Sequence, residues 1–391
     1  MSQRRWSAVL ASGIVCLLCM LLTAGQGGPP AGAWKAGLFY EIQKSAEQLW
    51  MPGIGFGTRT VQKKSWKERT AFLASQILPI GGFVVQGAVD GHAPEDEDTY
   101  AMLLKRQAED ENSVDEDGNL IAGGNRPLEE GTPQTAGADL SIEKLRDFTY
   151  LTEHFYTVDS VTMVTPEDLN VDEYLAKDMR IDPEQNGPKV LIFHTHSQER
   201  FVDSNEDPST SIIGIGRYLT QLLNETYDIP TLHHEGVFDL INGKLDRSQA
   251  YELAEPEIRR ILQENPSIEV VIDLHRDGVP DTTHLVTEIK GKPAAQIMFF
   301  NGMCRTRENG DLSSMLNPHL RDNLAFSLQM KLEAERRYPG FTRRIYLKGY
   351  RYNMDLMPKM LLIEAGAQTN TVEEMKNAME PLAEILNEVL Q

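Results

Sequence analysis

The segment Val190–Phe201, VLIFHTHSQERF, combines residue types that bind metal ions. Four apolar residues precede His194 and His196, and Glu199 follows three positions after the second histidine. Imidazole nitrogens and carboxylate oxygens are ordinary ligands of Zn²⁺. A continuous apolar run such as VLIF is typical of a buried strand, so the sequence predicts a metal-type cluster where this strand ends.

Two further apolar runs end in residues of the same kind. EVVIDLHRD carries His275, and MLLIEAG carries Glu364. Ligand chemistry in open α/β sheets collects at the carboxyl ends of the strands, so we expect these residues to meet. His196, Glu199 and His275 would supply three ligands to a catalytic Zn²⁺ and leave a fourth position for water. Glu364 would then be the general base that takes the proton of that water.

The first ligand has an alternative, because HTH also offers His194. Strand alternation sends His194 and His196 to the same face, so geometry alone does not choose between them. The H-x-x-E spacing favours His196, with His194 as a neighbour that orients a ligand. A purely structural interpretation stays open, in which Glu199 pairs with Arg200 at the surface and the histidines make core hydrogen bonds.

Two arginines are candidates for holding the tetrahedral oxyanion or a peptide carboxylate. Arg276 follows His275 directly, and Arg351 lies in GYRYNMD. Each has an equally plausible structural role, as a salt bridge to Asp277 or to Asp355.

Three other residues are given no ligand role. Asp273, two positions before His275, is expected to support the site while pointing away from it. The adjacent His233 and His234 follow a short strand signal, and we expect them at the surface.

The elements that must position these residues form an α/β domain. From 189 to 391, strand-like runs alternate with amphipathic helical segments, among them STSIIGIGRYLTQLLNETY and TVEEMKNAMEPLAEILNEVL. The pattern predicts a three-layer fold, with a mostly parallel or mixed sheet flanked by helices. Residues 140–188 form a smaller lead-in segment.

The N-terminus, 1–33, is predicted to be a membrane anchor or signal. Arg4 and Arg5 precede Trp6–Ala24, an uncharged apolar run long enough to cross a bilayer once as a helix. The small residues Ala31–Ala33 resemble a cleavage site but lie well past this run, so we favour a retained single span. The remainder of the chain would then be exported.

Charge and cysteine content bound the remaining segments. The formal net charge is −20, and 14 acids against 3 bases place −11 of it in 90–139, which we predict to be a disordered acidic linker after a juxtamembrane region at 34–89. Such a balance argues against nucleic-acid binding. Cys16 and Cys19 lie in the predicted anchor and leave Cys304 alone, so the exported part has no internal disulfide.

Several motifs together resemble the stage II sporulation protein P family. They are IFHTHSQERF, VIDLHRDG, NPHLRDNLAFSLQMKLEAERRYPGFTRRIYLKGYRYNMDL and LLIEAGAQTNTVEEM, and the resemblance runs from about residue 140 to the C-terminus. It implies a zinc-dependent N-acetylmuramoyl-L-alanine amidase, a peptidoglycan hydrolase with zinc on His196, Glu199 and His275 and with Glu364 as catalytic glutamate.

The same resemblance implies a biological setting. The chain would act in engulfment during sporulation, with peptidoglycan as substrate and sporulation proteins D and M as partners. It would be a single-pass protein of the cell membrane, with its catalytic domain on the extracytoplasmic side, between mother cell and forespore. The alternatives are a zinc carboxypeptidase or endopeptidase, and a non-catalytic scaffold that binds the cell wall.

Overall fold

The computed structural model describes residues 97–111 and 137–391. Seven strands form its main sheet: β1 (Tyr156–Val158), β2 (Val190–Phe193), β3 (Thr231–His233), β6 (Val270–Asp277), β9 (Ile297–Gly302), β12 (Ile345–Lys348) and β13 (Lys359–Ala367). Their order is β1-β12-β9-β13-β6-β2-β3, and β9 and β13 form the antiparallel pair while the other neighbours are parallel. The sheet is therefore mixed, as the sequence predicts.

Short strands and 3₁₀ turns connect the main elements. The hairpin strands are β4 (Leu240–Ile241), β5 (Lys244–Leu245), β7 (Val286–Ile289), β8 (Lys292–Ala295), β10 (Arg305–Thr306) and β11 (Gly310–Asp311). The 3₁₀ turns are Pro208–Thr210, Ser313–Met315 and Met354–Leu356.

Helices cover both faces of the sheet. They are α1 (Glu97–Glu111), α2 (Ile142–Leu145), α3 (Phe148–Phe155), α4 (Val171–Ala176), α5 (Ile212–Thr226), α6 (Ala250–Glu264), α7 (Leu320–Arg337) and α8 (Val372–Leu390). None of the helices within the two described ranges is long and apolar enough to span a bilayer. The predicted anchor and juxtamembrane region lie outside those ranges.

Alternation along the strands produces two hydrophobic layers. In β2, Val190 and Ile192 join the layer that contains α5, α7 and α8, while Leu191 and Phe193 join the layer that contains α6. All four residues are fully buried, because a strand in the middle of a three-layer fold has apolar neighbours on both faces. The apolar run VLIF therefore reflects burial on two sides.

Helix α1 corrects part of the linker prediction. Leu103, 1% exposed, packs in the α6 layer, and the Gln107 side-chain carbonyl accepts hydrogen bonds from the backbone of Arg351 and Tyr352 at 3.2 and 3.1 Å. A few apolar residues at helical spacing are thus enough to order 97–111, even though the surrounding segment is strongly acidic. Residues 90–96 and 112–136 of the predicted linker are outside the described ranges.

Candidate active site

The carboxyl ends of β2, β6 and β13 meet at one edge of the sheet. Because the three strands are parallel neighbours, their registers align Phe193 with Asp273 and His275 with Glu364. The residues that follow β2 therefore enter the same region as the last residues of β6 and β13. The structure thus brings together His196, Glu199, His275 and Glu364, which lie 168 positions apart along the chain from first to last.

His196 reaches this region because the chain turns after β2 ends at Phe193. Thr195 anchors the turn: its backbone N–H donates to one oxygen of the Asp273 carboxylate at 2.8 Å, and its hydroxyl donates to the other at 2.6 Å. The buried His196 ring then stands edge-on to His275, with ring centroids 5.0 Å apart, and edge-on to Tyr251 at 5.7 Å. It faces the side of the sheet that carries α6.

This placement corrects the expectation that His194 and His196 share a face. Alternation applies only within regular strand, and β2 ends one residue before His194. His194 continues toward α5, while His196 turns toward α6. The two histidines consequently belong to different surroundings.

Asp273 lies against the ring of His275. Its Oδ1 lies 2.7 Å from His275 Nε2, and both side chains are buried. The expectation that Asp273 points away was wrong, since residues two apart on a strand share a face. Histidine ligands of metals commonly place one ring nitrogen near a carboxylate; here Nε2 approaches Asp273 closely, although the contact does not have the direction of a hydrogen bond.

The electrostatic field at His275 favours positive charge. Burial by itself lowers the pKa of His275, but the carboxylates of Asp273, Glu199 and Glu364 more than compensate and raise it to about 10. The pKa of His196 is lowered well below its ordinary value by burial and by Arg247, His275 and Arg276. His275 is therefore surrounded by carboxylates that favour its protonated form, while His196 is kept neutral.

Glu199 is buried beside the two histidines. Its Oε2 accepts a hydrogen bond from the backbone N–H of Arg276 at 2.7 Å, and its Oε1 lies 3.5 Å from Nη2 of Arg247. The alternative of a surface ion pair with Arg200 is not what the structure has, because the Arg200 Nη1 donates to the carbonyl of Asn205. Glu199 is thus an interior carboxylate.

The donor set matches zinc in kind, although no preformed site is present. Within 97–111 and 137–391, no group of three or more His, Cys, Asp or Glu side chains is arranged so that it could hold a metal ion. His196, Glu199 and His275 nevertheless offer the N, O and N donors that Zn²⁺ accepts. The field that raises the His275 pKa would stabilise a bound cation as it stabilises a proton.

His194 forms a separate pair with His233. The His194 Nδ1–H donates to the carbonyl of Leu274 at 2.7 Å, so its Nε2 accepts from His233 Nε2 at 2.8 Å. Burial lowers the pKa of His194 to about 3 and that of His233 to about 4. Both His194 nitrogens contact protein atoms, which favours His196 as the ligand. His233 is mostly buried rather than at the surface as expected.

The two candidate arginines have different surroundings. Arg351 forms the salt bridge to Asp355 that the sequence left open. Its guanidinium contacts Asp355 and Glu255, each at 3.1 Å, so a substrate-holding role for it is not supported. Arg276 Nη1 donates to the backbone carbonyl of Asp277 at 3.1 Å, while the carboxylate of Asp277 pairs with Arg343. Arg276 therefore remains a candidate beside Glu199.

Sequence reasoning missed two residues of this region. Arg247 lies immediately before α6, and Tyr251 lies in its first turn. Neither has a spacing relation to the histidines, since they reach the site from a helix that contacts the sheet only in the folded chain. The one available signal was a basic residue in the loop between a predicted strand and a predicted helix.

These elements define an α/β protein with a histidine- and glutamate-lined site at the carboxyl edge of its sheet. The family model of stage II sporulation protein P (SpoIIP) matches residues 94–387. The chain belongs to this family. Stage II sporulation protein P of Bacillus subtilis (strain 168) is 25% identical over 217 residues, which are 51% of this chain and 50% of the relative. The match thus spans about half the length of that curated relative.

Solved amidase structures are among those that resemble parts of this chain weakly. The CwlD amidase from Clostridioides difficile, solved in complex with the GerS lipoprotein, has 15% sequence identity and a TM-score of 0.33 and covers 51% of this chain and 98% of its own. The amidase AmiC2 of Nostoc punctiforme has 9% identity and a TM-score of 0.32, with 52% and 98% covered.

Proposed function

We propose that the chain is a peptidoglycan hydrolase of sporulation that cleaves the amide between N-acetylmuramic acid and L-alanine. The observation that carries the proposal is the meeting of His196, Glu199, His275 and Glu364 at one sheet edge in a chain of the SpoIIP family. Ionisable groups buried together cost stability, and clusters of such perturbed groups are typical of functional sites.

In this proposal zinc is held by His196, Glu199 and His275. The chemistry supplied by the bound ion is a water pKa lowered from about 15.7 to about 7, together with polarisation of the scissile carbonyl. The Asp273 carboxylate, 2.7 Å from His275 Nε2, would help to hold this ring in place. Tyr251 limits rotation of the His196 ring from the other side.

Glu364 is the proposed general base. It lies next to His275 in the β13–β6 register, and the residue is intermediate in exposure. Its carboxylate would take the proton of the attacking water and pass it to the amine nitrogen that leaves. The guanidinium of Arg276 would stabilise the oxyanion that forms on the carbonyl.

The biological setting also belongs to the proposal. Membership in the family supports action on the cell wall during engulfment, with sporulation proteins D and M as partners. A retained single span at 1–33 would place the domain at the extracytoplasmic face of the membrane. Fractionation of sporulating cells, followed by protease treatment of intact protoplasts, tests this location.

Replacement of the proposed base is the sharpest test of the mechanism. We expect Glu364→Gln to reduce release of peptide from purified peptidoglycan by roughly 10²- to 10⁴-fold, while elemental analysis finds zinc unchanged. The glutamine keeps the size of the side chain but cannot accept the proton. Glu373→Gln, an exposed glutamate on α8, is the matched control. Full activity in Glu364→Gln would mean that another group is the base.

A zinc carboxypeptidase is the second candidate, and one observation favours it. Such an enzyme needs a cationic site for a free C-terminal carboxylate, and the buried Arg247 beside Glu199 is a group of that kind. The products separate the candidates, because an amidase releases intact peptides from glycan while a carboxypeptidase releases single amino acids. Mass spectrometry of digested muropeptides identifies which products form.

A further inference from the structure

Arg247 is a buried guanidinium whose hydrogen-bonding capacity is largely unused. The residue is 6% exposed, and neither Nε nor Nη1 has a hydrogen-bond partner in the described part of the chain. Its Nη2 lies 3.5 Å from Glu199 Oε1. Buried charged donors are normally satisfied, so such a group calls for an explanation.

Asp239 connects the loop that contains Arg247 to the site. The fully buried Asp239 carboxylate accepts from the Ser197 hydroxyl at 2.6 Å and from the Gln198 N–H at 3.0 Å, and its backbone carbonyl accepts from Asp246 at 2.9 Å. These bonds tie the loop before Glu199 to the loop before α6. Arg247 lies in the second of these loops, directly after Asp246.

Arg276 provides a second guanidinium beside the same carboxylate. Its backbone N–H donates to Glu199, its Nη1 donates to the Asp277 carbonyl, and its buried Nε has no acceptor within the described ranges. Both arginines act electrostatically on His196. The Glu199 carboxylate thus lies 3.5 Å from the Arg247 guanidinium and bonds to the Arg276 backbone, and the Arg276 side chain interacts electrostatically with both Glu199 and Arg247.

We propose that Arg247 forms an anion subsite beside His196 and Glu199 that binds a carboxylate of the substrate's peptide stem, while Arg276, assigned above to the oxyanion, adds positive charge to the same region. The proposal rests on the amidase function proposed above and extends it to the part of the substrate that is recognised. Guanidinium groups suit this task because their planar N–H donors match a carboxylate in pairs.

The chemistry of the substrate agrees with this arrangement. A peptide stem carries carboxylates, and one on its second residue lies roughly 7 Å from the scissile amide when the chain is extended. At that distance the carboxylate can be bound by an arginine while the scissile amide lies at the same edge of the sheet. An anchor of this kind sets the position of the amide relative to Glu364.

The test uses the full chain and three small substrates. They are N-acetylmuramoyl-L-alanyl-D-glutamate, its α-amide and its γ-amide. We expect the wild type to prefer the diacid to the amide that lacks the recognised carboxylate by about tenfold or more in kcat/KM, mainly through KM. The amide that causes the loss identifies which of the two carboxylates is bound.

Variants at Arg247 complete the test. Arg247→Gln should bring the preference close to one, while Arg247→Lys should keep part of it. Arg260→Gln, an exposed and ion-paired arginine of α6, should keep the full preference. Wild-type protein that does not discriminate among the three compounds overturns the proposal whether or not any variant folds.

Binding without turnover separates this proposal from the amidase proposal. Calorimetry with L-alanyl-D-glutamate and its amides, in the presence of a chelator, measures the subsite alone. Arg247-dependent binding in this experiment, together with no hydrolysis of the three N-acetylmuramoyl compounds by the zinc-loaded protein, would keep the subsite and reject the amidase function. Hydrolysis of all three compounds at equal rates would keep the amidase and reject the subsite.

Discussion

The two imidazole pairs of this domain differ in what surrounds them. His196 and His275 stand among carboxylates and guanidinium groups, and the pKa of His275 is raised to about 10. His194 bonds to His233 and to a backbone carbonyl, the half-exposed Glu235 carboxylate lies 3.5 Å from His233 Nδ1, and burial lowers the pKa of His194 to about 3. The comparison teaches that neighbouring charge, and not histidine content, decides which pair can hold a cation.

The largest expected difference between the pairs is in metal content. His275→Ala should lose both stoichiometric zinc and hydrolysis, because it removes a proposed ligand. His194→Ala should retain zinc, since both nitrogens of His194 already contact protein atoms. Elemental analysis of the two purified variants measures this. If His194→Ala lost zinc while His275→Ala kept it, the metal would belong to the His194–His233 pair and not to the His196–His275 pair.

A smaller effect is expected where the carboxylate behind His275 is changed. Asp273→Asn keeps the shape of the side chain but removes its charge, so we expect zinc affinity to fall by roughly 10- to 100-fold. Competition with a chromogenic chelator gives this affinity. Asp246→Asn, in an exposed loop, is the control. An unchanged affinity would show that Asp273 serves only to anchor Thr195.

The smallest predicted effect concerns the packing of the other pair. A Cβ at Gly216 would come within 2.5 Å of His194 Nε2 and 2.7 Å of His233 Nε2. We expect this steric clash in Gly216→Ala to lower the free energy of unfolding by about 1–3 kcal/mol. The better helix propensity of alanine raises it by only roughly 1 kcal/mol, so the variant should be less stable than the wild type. Urea unfolding measures this.

The control for that substitution lies on the same helix. Gln221→Ala changes an exposed residue of α5 and should stay within about 0.5 kcal/mol of wild type. Zinc content should be equal in both variants, because Gly216 touches the pair that holds no cation. A Gly216→Ala protein more stable than the wild type would mean that the His194 and His233 rings can move to make room for the methyl group at little cost in free energy.

Much of the fold could be predicted because its signals are local. The runs VLIF, VVI and MLLI mark β2, β6 and β13, and residue types at their ends indicate the edge where chemistry collects. Helix α1 was missed because acidic composition dominates its segment, while its docking depends on a few residues such as Leu103. The assignments of an anchor and a linker to residues outside the described ranges stay predictions.

The sequence by itself determined the three-layer α/β class and the set of strand-terminal histidines and glutamates, since periodicity and apolar runs depend on neighbours in the chain. Only the tertiary structure decided that His194 and His196 diverge and that Arg247 enters the site. Those outcomes depend on where β2 ends and on contacts between residues about 40 to 80 positions apart. A local sequence pattern does not determine how close two residues far apart in the chain will be. The burial and the charged neighbours of these side chains in the folded chain therefore indicate their roles.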